Sequence, residues 1–199
     1  IAAAIGAGID IAKPHGNMIV DIGGGTTDIA VISLGGSVVS SSLKVAGDKF
    51  DEAIIRYIKK TRNVMLGERT AEDIKINFSN IYKPSKKEKI EVRGRDLITG
   101  LPKAIEITQD ETKEAMEDSI SRIIKSCKGV LEQTPPELSA DIVEKGVILT
   151  GGGALLTGLV ERLEEELTIP VLIAETPLTC VAEGTGVLLD NRKLLEEDQ

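Results

Sequence analysis

The chain has 199 residues, of which 41% are hydrophobic and 28% charged, an ordinary composition for a globular protein. Its net charge of −8, with two Phe, two Tyr and no Trp, argues against a nucleic-acid partner, because phosphates would be repelled and bases would find few rings to stack on. His15 is the single histidine, so a histidine-based triad or zinc site is close to excluded. Cys127 and Cys180 stand far apart and, with no signal peptide, indicate a reducing cytoplasm.

The first third of the chain predicts a small antiparallel sheet and a helix. Apolar and β-branched runs on either side of a glycine cluster are typical of a β-hairpin, and apolar residues at helical spacing follow it. The predicted elements are a short helix at 2–9, strands at 17–22, 29–34 and 37–45, and a helix at 47–62.

The predicted hairpin turn has the sequence Asp-Ile-Gly-Gly-Gly-Thr-Thr-Asp, from Asp21 to Asp28. Consecutive glycines let the backbone bring its N–H groups close to a ligand, and such a concavity binds phosphate. Asp21 can face a metal ion or an attacking water, while Thr26 and Thr27 add hydroxyl donors. A purely structural hairpin explains the same residues, so this stretch alone leaves both interpretations open.

The rest of the chain alternates helices and strands. Thr108 and Glu111 have the spacing of a capping box at the start of a long helix. The predicted elements are helices at 70–82, 109–133, 154–167 and 178–189, strands at 90–93, 104–108, 147–150 and 171–174, and an irregular acidic tail at 191–199.

A second glycine triplet, Gly151–Gly153, stands between a predicted strand and a predicted helix. A strand, three glycines and a helix in that order let a ligand approach closely, because the glycines leave the start of the helix free of side chains. The pattern is neither a Walker A motif nor GxGxxG. A nucleotide touched by both glycine triplets would fit this arrangement.

The element order predicts an α/β protein with a mixed sheet, flanking helices and a small inserted α/β lobe. Residues 1–62 and 108–199 would form the main sheet domain, in which residues 1–9 are a connecting helix. Residues 63–107 would form the inserted lobe.

Several of these motifs resemble known ones. Asp21–Asp28 resembles the second phosphate-binding motif of the superfamily of actin, sugar kinases and heat-shock chaperones, and Leu149–Leu156 resembles its adenosine motif. Essentially the whole chain is similar to the second half of the bacterial actins of the MreB/Mbl family. The segments that indicate this family are Gly67–Glu72 with Lys75, Arg95–Pro102 and Thr134–Leu138.

The resemblance implies an actin-like (ribonuclease H-like) ATPase domain that binds ATP or ADP with Mg²⁺. Asp21 would organise the attacking water or hold Mg²⁺ through water. Glu72 and Lys75, three residues apart on one helix, would reach the ribose and the purine together; without the resemblance they would be interpreted as a weak surface ion pair. The other implied contacts are Gly23, Gly24, Gly25, Thr26 and Thr27 to the phosphates, and Gly151, Gly152, Gly153, Ala154 and Leu155 to the adenosine.

The resemblance also implies a cytoskeletal ATPase that forms filaments under the cell membrane and directs cell-wall elongation and rod shape. Its partners would be further copies of itself and membrane-bound elongation proteins, at the cytoplasmic face of the membrane. Membrane contact and the main catalytic glutamate would belong to an N-terminal half outside this chain, so the chain alone is expected not to hydrolyse ATP.

Two alternatives belong to the same superfamily. A chaperone-type ATPase would need a substrate-binding domain after the last helix, and the chain ends about ten residues beyond it. A metabolite kinase would have its acceptor site mostly in the half that the chain lacks, and the inserted lobe is too short to hold a sugar pocket of its own. The filament-forming ATPase is therefore the favoured hypothesis.

Overall fold

The computed structural model describes residues 1–197, and the side chains of residues 1–190. The strands are β1 Asn17–Ile22, β2 Thr27–Ser33, β3 Gly36–Leu43, β4 Val64–Met65, β5 Lys89–Asp96, β6 Pro102–Thr108, β7 Val147–Thr150 and β8 Val171–Ile173. The helices are α1 Ala2–Gly6, α2 Gly47–Arg62, α3 Glu68–Asn77, α4 Gln109–Gln133, α5 Pro136–Lys145, α6 Leu159–Leu167 and α7 Cys180–Glu197, with a 3₁₀ turn at Gly152–Leu155.

The main sheet has five strands in the order β3-β2-β1-β7-β8. β1, β2 and β3 form the predicted antiparallel meander, whereas β7 lies parallel to β1 and β8 parallel to β7. Leu34 and Gly35 both have positive φ, 51° and 74°, which is the two-residue turn whose twist matches a β-hairpin. The parallel register places Asp21 beside Thr150, so the ends of β1 and β7 lie at the same edge of the sheet.

A second sheet of three strands, in the order β4-β5-β6, comes from the middle of the chain. Its buried side chains Val92 and Ile107 belong to the same apolar cluster as Val20 and Phe50 of the main part. Because one apolar core extends across both sheets, the division into a sheet domain and an inserted lobe stays a prediction.

Local sequence signals explain two of the helices well. Helix α2 has the predicted bounds, and its buried side chains include Phe50, Ile54 and Ile58 at helical spacing. Helix α4 begins with the predicted capping box: the Thr108 hydroxyl accepts from the Glu111 N–H, and the Glu111 carboxylate accepts from the Thr108 N–H at 2.8 Å.

Several predicted boundaries are wrong, and three of them matter for the site or the end of the chain. A helix was predicted at 70–82 with Thr70 as its cap, but α3 spans Glu68–Asn77, so Thr70 lies inside the helix. The predicted helix at 154–167 is a 3₁₀ turn followed by a helix that begins only at Leu159, because Gly158 has φ 89° and interrupts the helical backbone. The backbone of α7 continues to Glu197, where an irregular tail was predicted from residue 191; residues 198 and 199 lie outside the described part.

Helices α1 and α7 cross with their backbones in contact. A methyl group at Gly6 would overlap the Cys180 carbonyl, and one at Gly184 would overlap the Ala2 carbonyl. Both glycines are therefore required by packing. Within residues 1–197, no helix combines the length and the apolar character that a membrane crossing needs.

Candidate functional site

A large cleft of about 1280 Å³ opens where the two glycine triplets face each other. Its walls come from the hairpin turn, the start of α2, one side of α3, the 3₁₀ turn after β7 and the segment that leads into α7. Of the predicted site residues, those that line the cleft are Asp21, Gly23, Gly24, Glu72, Lys75, Gly151, Gly152, Gly153 and Leu155.

The turn between β1 and β2 is closed by a hydrogen bond from the Gly23 N–H to the Thr26 carbonyl, at 3.0 Å. The first N–H groups of α2 support it from outside: Gly47 donates to the Gly23 carbonyl at 3.0 Å and Asp48 to the Gly24 carbonyl at 2.8 Å. Among residues 1–197, the N–H groups of Gly24 and Gly25 donate to no protein acceptor. Unsatisfied neighbouring N–H groups in a turn form an anion-binding concavity.

The two threonines of this turn have different surroundings. Thr26 is exposed, and its hydroxyl donates to the Asp28 carboxylate at 3.2 Å. Thr27 is fully buried, and its hydroxyl donates to the Val45 carbonyl at 2.6 Å. Neither threonine lines the cleft, and neither do Gly25 and the buried Ala154. The Thr27 hydroxyl is therefore engaged within the protein.

Asp21 lies half-buried at the end of β1, next to Thr150 of β7. Burial raises the pKa of its carboxyl; the Thr150 hydroxyl lowers that pKa, and the Asp28 carboxylate raises it. Thr150 Oγ1 is buried beside this carboxyl and, among the residues whose side chains are described, forms no hydrogen bond. In the part of the chain that the structure describes, no three or more His, Cys, Asp or Glu side chains cluster as metal ligands would.

The second triplet is packed directly against β1. Gly151 has φ 81°, and a methyl group there would overlap the Ile22 carbonyl and lie 2.6 Å from Asp21 Oδ1. A methyl group at Gly153 would overlap the Ile22 side chain. The Gly151 N–H donates to the Pro177 carbonyl at 2.6 Å, which brings the segment before α7 to the cleft.

Glu72 and Lys75 do not pair with each other. The Lys75 ammonium instead lies 2.9 Å from Asp51 Oδ1 and 3.3 Å from the Gly47 carbonyl oxygen, while Glu72 is exposed. Sequence reasoning missed Asp51, because nothing in its place on an amphipathic helix distinguishes it from an ordinary surface carboxylate.

The sheet order, the two glycine turns and the cleft between them define a class: this is an α/β protein with the actin-like fold. A family model described as "MreB/Mbl protein" matches residues 1–197. The chain belongs to the MreB/Mbl family.

Individual relatives agree with this assignment. The chain is 59% identical over 189 residues to the cell shape-determining protein Mbl of Bacillus subtilis, covering 95% of this chain and 57% of that protein. The crystal structure of MreB5 of Spiroplasma citri bound to AMPPNP superposes with a TM-score of 0.94 at 41% identity, over 99% of this chain and 59% of the other. The MamK double helical filament superposes with a TM-score of 0.77 at 25% identity, over 95% of this chain and 57% of the other. The chain thus spans little more than half the length of these relatives.

Proposed function

We propose that this chain is the nucleotide-binding half of an actin-like ATPase that assembles into filaments and directs cell-wall elongation and rod shape. The observation that supports this most is the cleft where the hairpin turn, with the unsatisfied N–H groups of Gly24 and Gly25, faces the turn at Gly151–Gly153. The relatives support it too, since one is named cell shape-determining, one is bound to AMPPNP and one is a filament.

In this proposal the hairpin turn binds the β- and γ-phosphates through the N–H groups of Gly24 and Gly25 and the exposed Thr26. The Gly23 N–H, which was expected to join them, is engaged with the Thr26 carbonyl and closes the turn instead. Thr27 supports the turn from below through its bond to Val45. Glu72 and Lys75 contact the ribose and the purine, and the 3₁₀ turn with Leu155 forms the opposite wall.

The residues at Asp21 fit a magnesium ion. Mg²⁺ keeps several waters and is usually held by one or two carboxylates together with phosphates, and one half-buried carboxylate beside the unpartnered Thr150 hydroxyl matches that requirement. Asp21 would hold the ion through water, and the ion would neutralise phosphate charge.

Assembly and location belong to the same proposal. The chain would meet further copies of itself end to end, and membrane-bound elongation proteins would hold the filament at the cytoplasmic face of the membrane. Because the chain covers only 57% of the Mbl relative, we expect hydrolysis and membrane contact to require parts of the protein outside this chain.

The test is a calorimetric titration of Mg·ATP and Mg·AMPPNP into two proteins: this chain, and this chain fused behind the N-terminal region of the B. subtilis Mbl relative. We expect the fusion to bind both nucleotides, to pellet as filaments with them and to hydrolyse ATP, and the single chain to bind more weakly without hydrolysis. A fusion that binds ATP but phosphorylates a small molecule and never pellets would overturn the proposal.

A matched pair of variants locates the binding. A methyl group at Gly24 would lie 3.5 Å from the Asp48 carboxylate and one at Gly36 would lie 4.0 Å from the Ser33 carbonyl, so both turns tolerate alanine. Gly24→Ala should weaken nucleotide binding, and Gly36→Ala should leave it unchanged. Equal affinity in both variants would place the phosphates elsewhere.

A further inference from the structure

Lys75 makes an ion pair with Asp51 and a hydrogen bond to the Gly47 carbonyl, both on helix α2; the ion pair at Asp51 Oδ1 does not have hydrogen-bond geometry. Its ammonium lies 2.9 Å from Asp51 Oδ1 and 3.3 Å from the Gly47 carbonyl oxygen. The Lys75 and Asp51 side chains are only 15% and 16% exposed, so they form a largely buried pair. This pair ties helix α3 to the beginning of helix α2.

Glu72 is a competing partner for the same ammonium. It lies one turn before Lys75 on α3, a spacing at which Glu and Lys side chains commonly pair. In the part of the chain that the structure describes, Glu72 nevertheless takes part in no ion pair. Burial raises the pKa of the Asp51 carboxyl, the Lys75 ammonium opposes this, and the nearby Glu72 and Asp48 carboxylates raise the pKa further, so Glu72 lies close to the pair that Asp51 forms with Lys75.

We propose that Asp51 is a positioning residue for sugar recognition: by holding the Lys75 ammonium against Gly47, it leaves the Glu72 carboxylate free to accept hydrogen bonds from the ribose hydroxyls of a bound nucleotide. This inference rests on the proposed nucleotide site. An ionised carboxylate only accepts hydrogen bonds, and its bonds from hydroxyl groups are charge-assisted, so a Glu72 neutralised by Lys75 would recognise the sugar less well.

The position of Gly47 supports a role for this pair in ligand binding. Gly47 donates its N–H to the Gly23 carbonyl of the hairpin turn and accepts from Lys75 with its own carbonyl. One peptide segment thus separates the turn proposed for the phosphates from the cation proposed for the nucleoside. Asp51 contacts the Lys75 ammonium beside this segment.

The experiment compares the affinities for ATP, 2′-deoxy-ATP and 3′-deoxy-ATP by calorimetry, in this chain and in the Mbl fusion described above. The unsubstituted protein should prefer ATP over one of the deoxy analogues by about tenfold, the ratio that a charge-assisted hydrogen bond supplies. Asp51→Ala should reduce that ratio to nearly one, because Lys75 turns to Glu72. Glu52→Ala is the matched control: Glu52 lines the same cleft and is next in sequence, but pairs with Lys49 at the surface, so the ratio should stay.

Variants without Lys75 distinguish a positioning role of Asp51 from a general loss of stability. Lys75→Met should weaken ATP and both analogues alike and keep the ratio, since Glu72 remains free. The double variant Asp51→Ala with Lys75→Met should regain the ratio that Asp51→Ala alone has lost. A protein that is merely destabilised by loss of Asp51 would not show this recovery.

Two outcomes are separable. If neither unsubstituted protein binds ATP, the proposed function itself is wrong. If ATP binds with a sugar preference and Asp51→Ala leaves that preference unchanged, only the role of Asp51 is wrong. Should Asp51→Ala fail to fold, Asp51→Asn is used instead, and NMR measures the coupling across hydrogen bonds from Lys75 Nζ. We expect Asp51→Asn to show this coupling to the Glu72 carboxylate rather than to residue 51. A coupling that stays with residue 51 overturns the inference.

Discussion

The two glycine triplets have the same sequence, but different physical constraints explain why each turn contains glycine. In the first, a methyl group at Gly25 would meet nothing within 4 Å, and methyl groups at Gly23 and Gly24 would make only ordinary contacts. In the second, methyl groups at Gly151 and Gly153 would overlap Ile22. Packing therefore requires glycine in the second turn, whereas packing leaves the first turn free.

What remains to explain the first triplet is access to its backbone. The N–H groups of Gly24 and Gly25 are unsatisfied among residues 1–197, and side chains beside them would hinder a ligand. The difference shows how to interpret a run of glycines. Where the space beside them is empty, the glycines indicate a functional site, and where neighbouring atoms fill that space, packing explains them. Adding a side chain should therefore lower the stability of the fold at the second turn, and should lower nucleotide affinity with little effect on stability at the first.

The largest expected effect is that of Gly151→Ala. A residue with a side chain would have to adopt φ 81° and would overlap the Ile22 carbonyl, so we expect a loss of about 3 kcal/mol or more in the free energy of unfolding. Urea denaturation of this variant beside Gly25→Ala measures it. A loss of the same size in both variants would remove the distinction between the turns.

A smaller effect is expected at the threonines that follow the first triplet. Thr27→Val leaves the buried Val45 carbonyl without its donor, which should cost about 1–3 kcal/mol. Thr26→Val, at an exposed hydroxyl, should change stability by less than about 0.5 kcal/mol. Thermal unfolding of the two variants side by side tests the prediction, and a reversed order would contradict the placement of the Thr27 hydroxyl.

Gly25→Ala should hardly change stability. Its φ is not positive and the space is open, so alanine should be neutral or stabilise the fold by up to about 1 kcal/mol through the unfolded state. The same variant should weaken ATP binding and leave adenosine binding unchanged, which calorimetry resolves. Unaltered ATP affinity would mean that the open space beside Gly25 is not used by phosphate.

The smallest effect concerns Asp21, which lies between the two turns. Its carboxyl has a raised pKa because of burial, so the folded protein holds that proton more tightly than the unfolded chain. The stability that this proton provides is fully present below the ordinary value of 3.8 and is lost as the pH rises through the raised pKa. Asp21→Asn should therefore be slightly more stable than the unsubstituted protein at pH 7, and the difference should vanish below pH 3.8.

Urea unfolding at several pH values measures this difference, with Asp10→Asn as a control at an exposed carboxylate. A gain at Asp21 that is independent of pH would mean that the substitution acts through packing rather than through the charge.

The sequence predicts those parts of the fold that local physics determines. Helix α2 and the capping box of α4 follow from apolar spacing and from two side chains three residues apart, and both lie where expected. The start of α6 was missed because Gly158 adopts φ 89° in a segment that looks helical by composition. Its conformation depends on Asn80 and Tyr82 packed against it, and contacts so distant in sequence leave no local pattern.

The candidate site shows the same limit. The motifs placed Asp21, both glycine turns and the helix of Glu72 around one cleft, because each motif is contiguous. The contact of Lys75 with Asp51 joins two helices, and the Thr27 hydroxyl donates to the carbonyl of Val45, which lies between β3 and α2. Such pairings arise only when the chain is folded.

The parallel pairing of β1 with β7 has a consequence for how the chain folds during synthesis. β1 is the central strand of its sheet, yet its partner on one side is made more than one hundred residues later. At about 5–20 residues per second, the apolar edge of the meander would stay open on the ribosome for roughly ten seconds. The nascent chain therefore offers an unpaired strand to other nascent chains throughout that interval. The yield of folded protein should depend on how well this edge is protected until β7 is made.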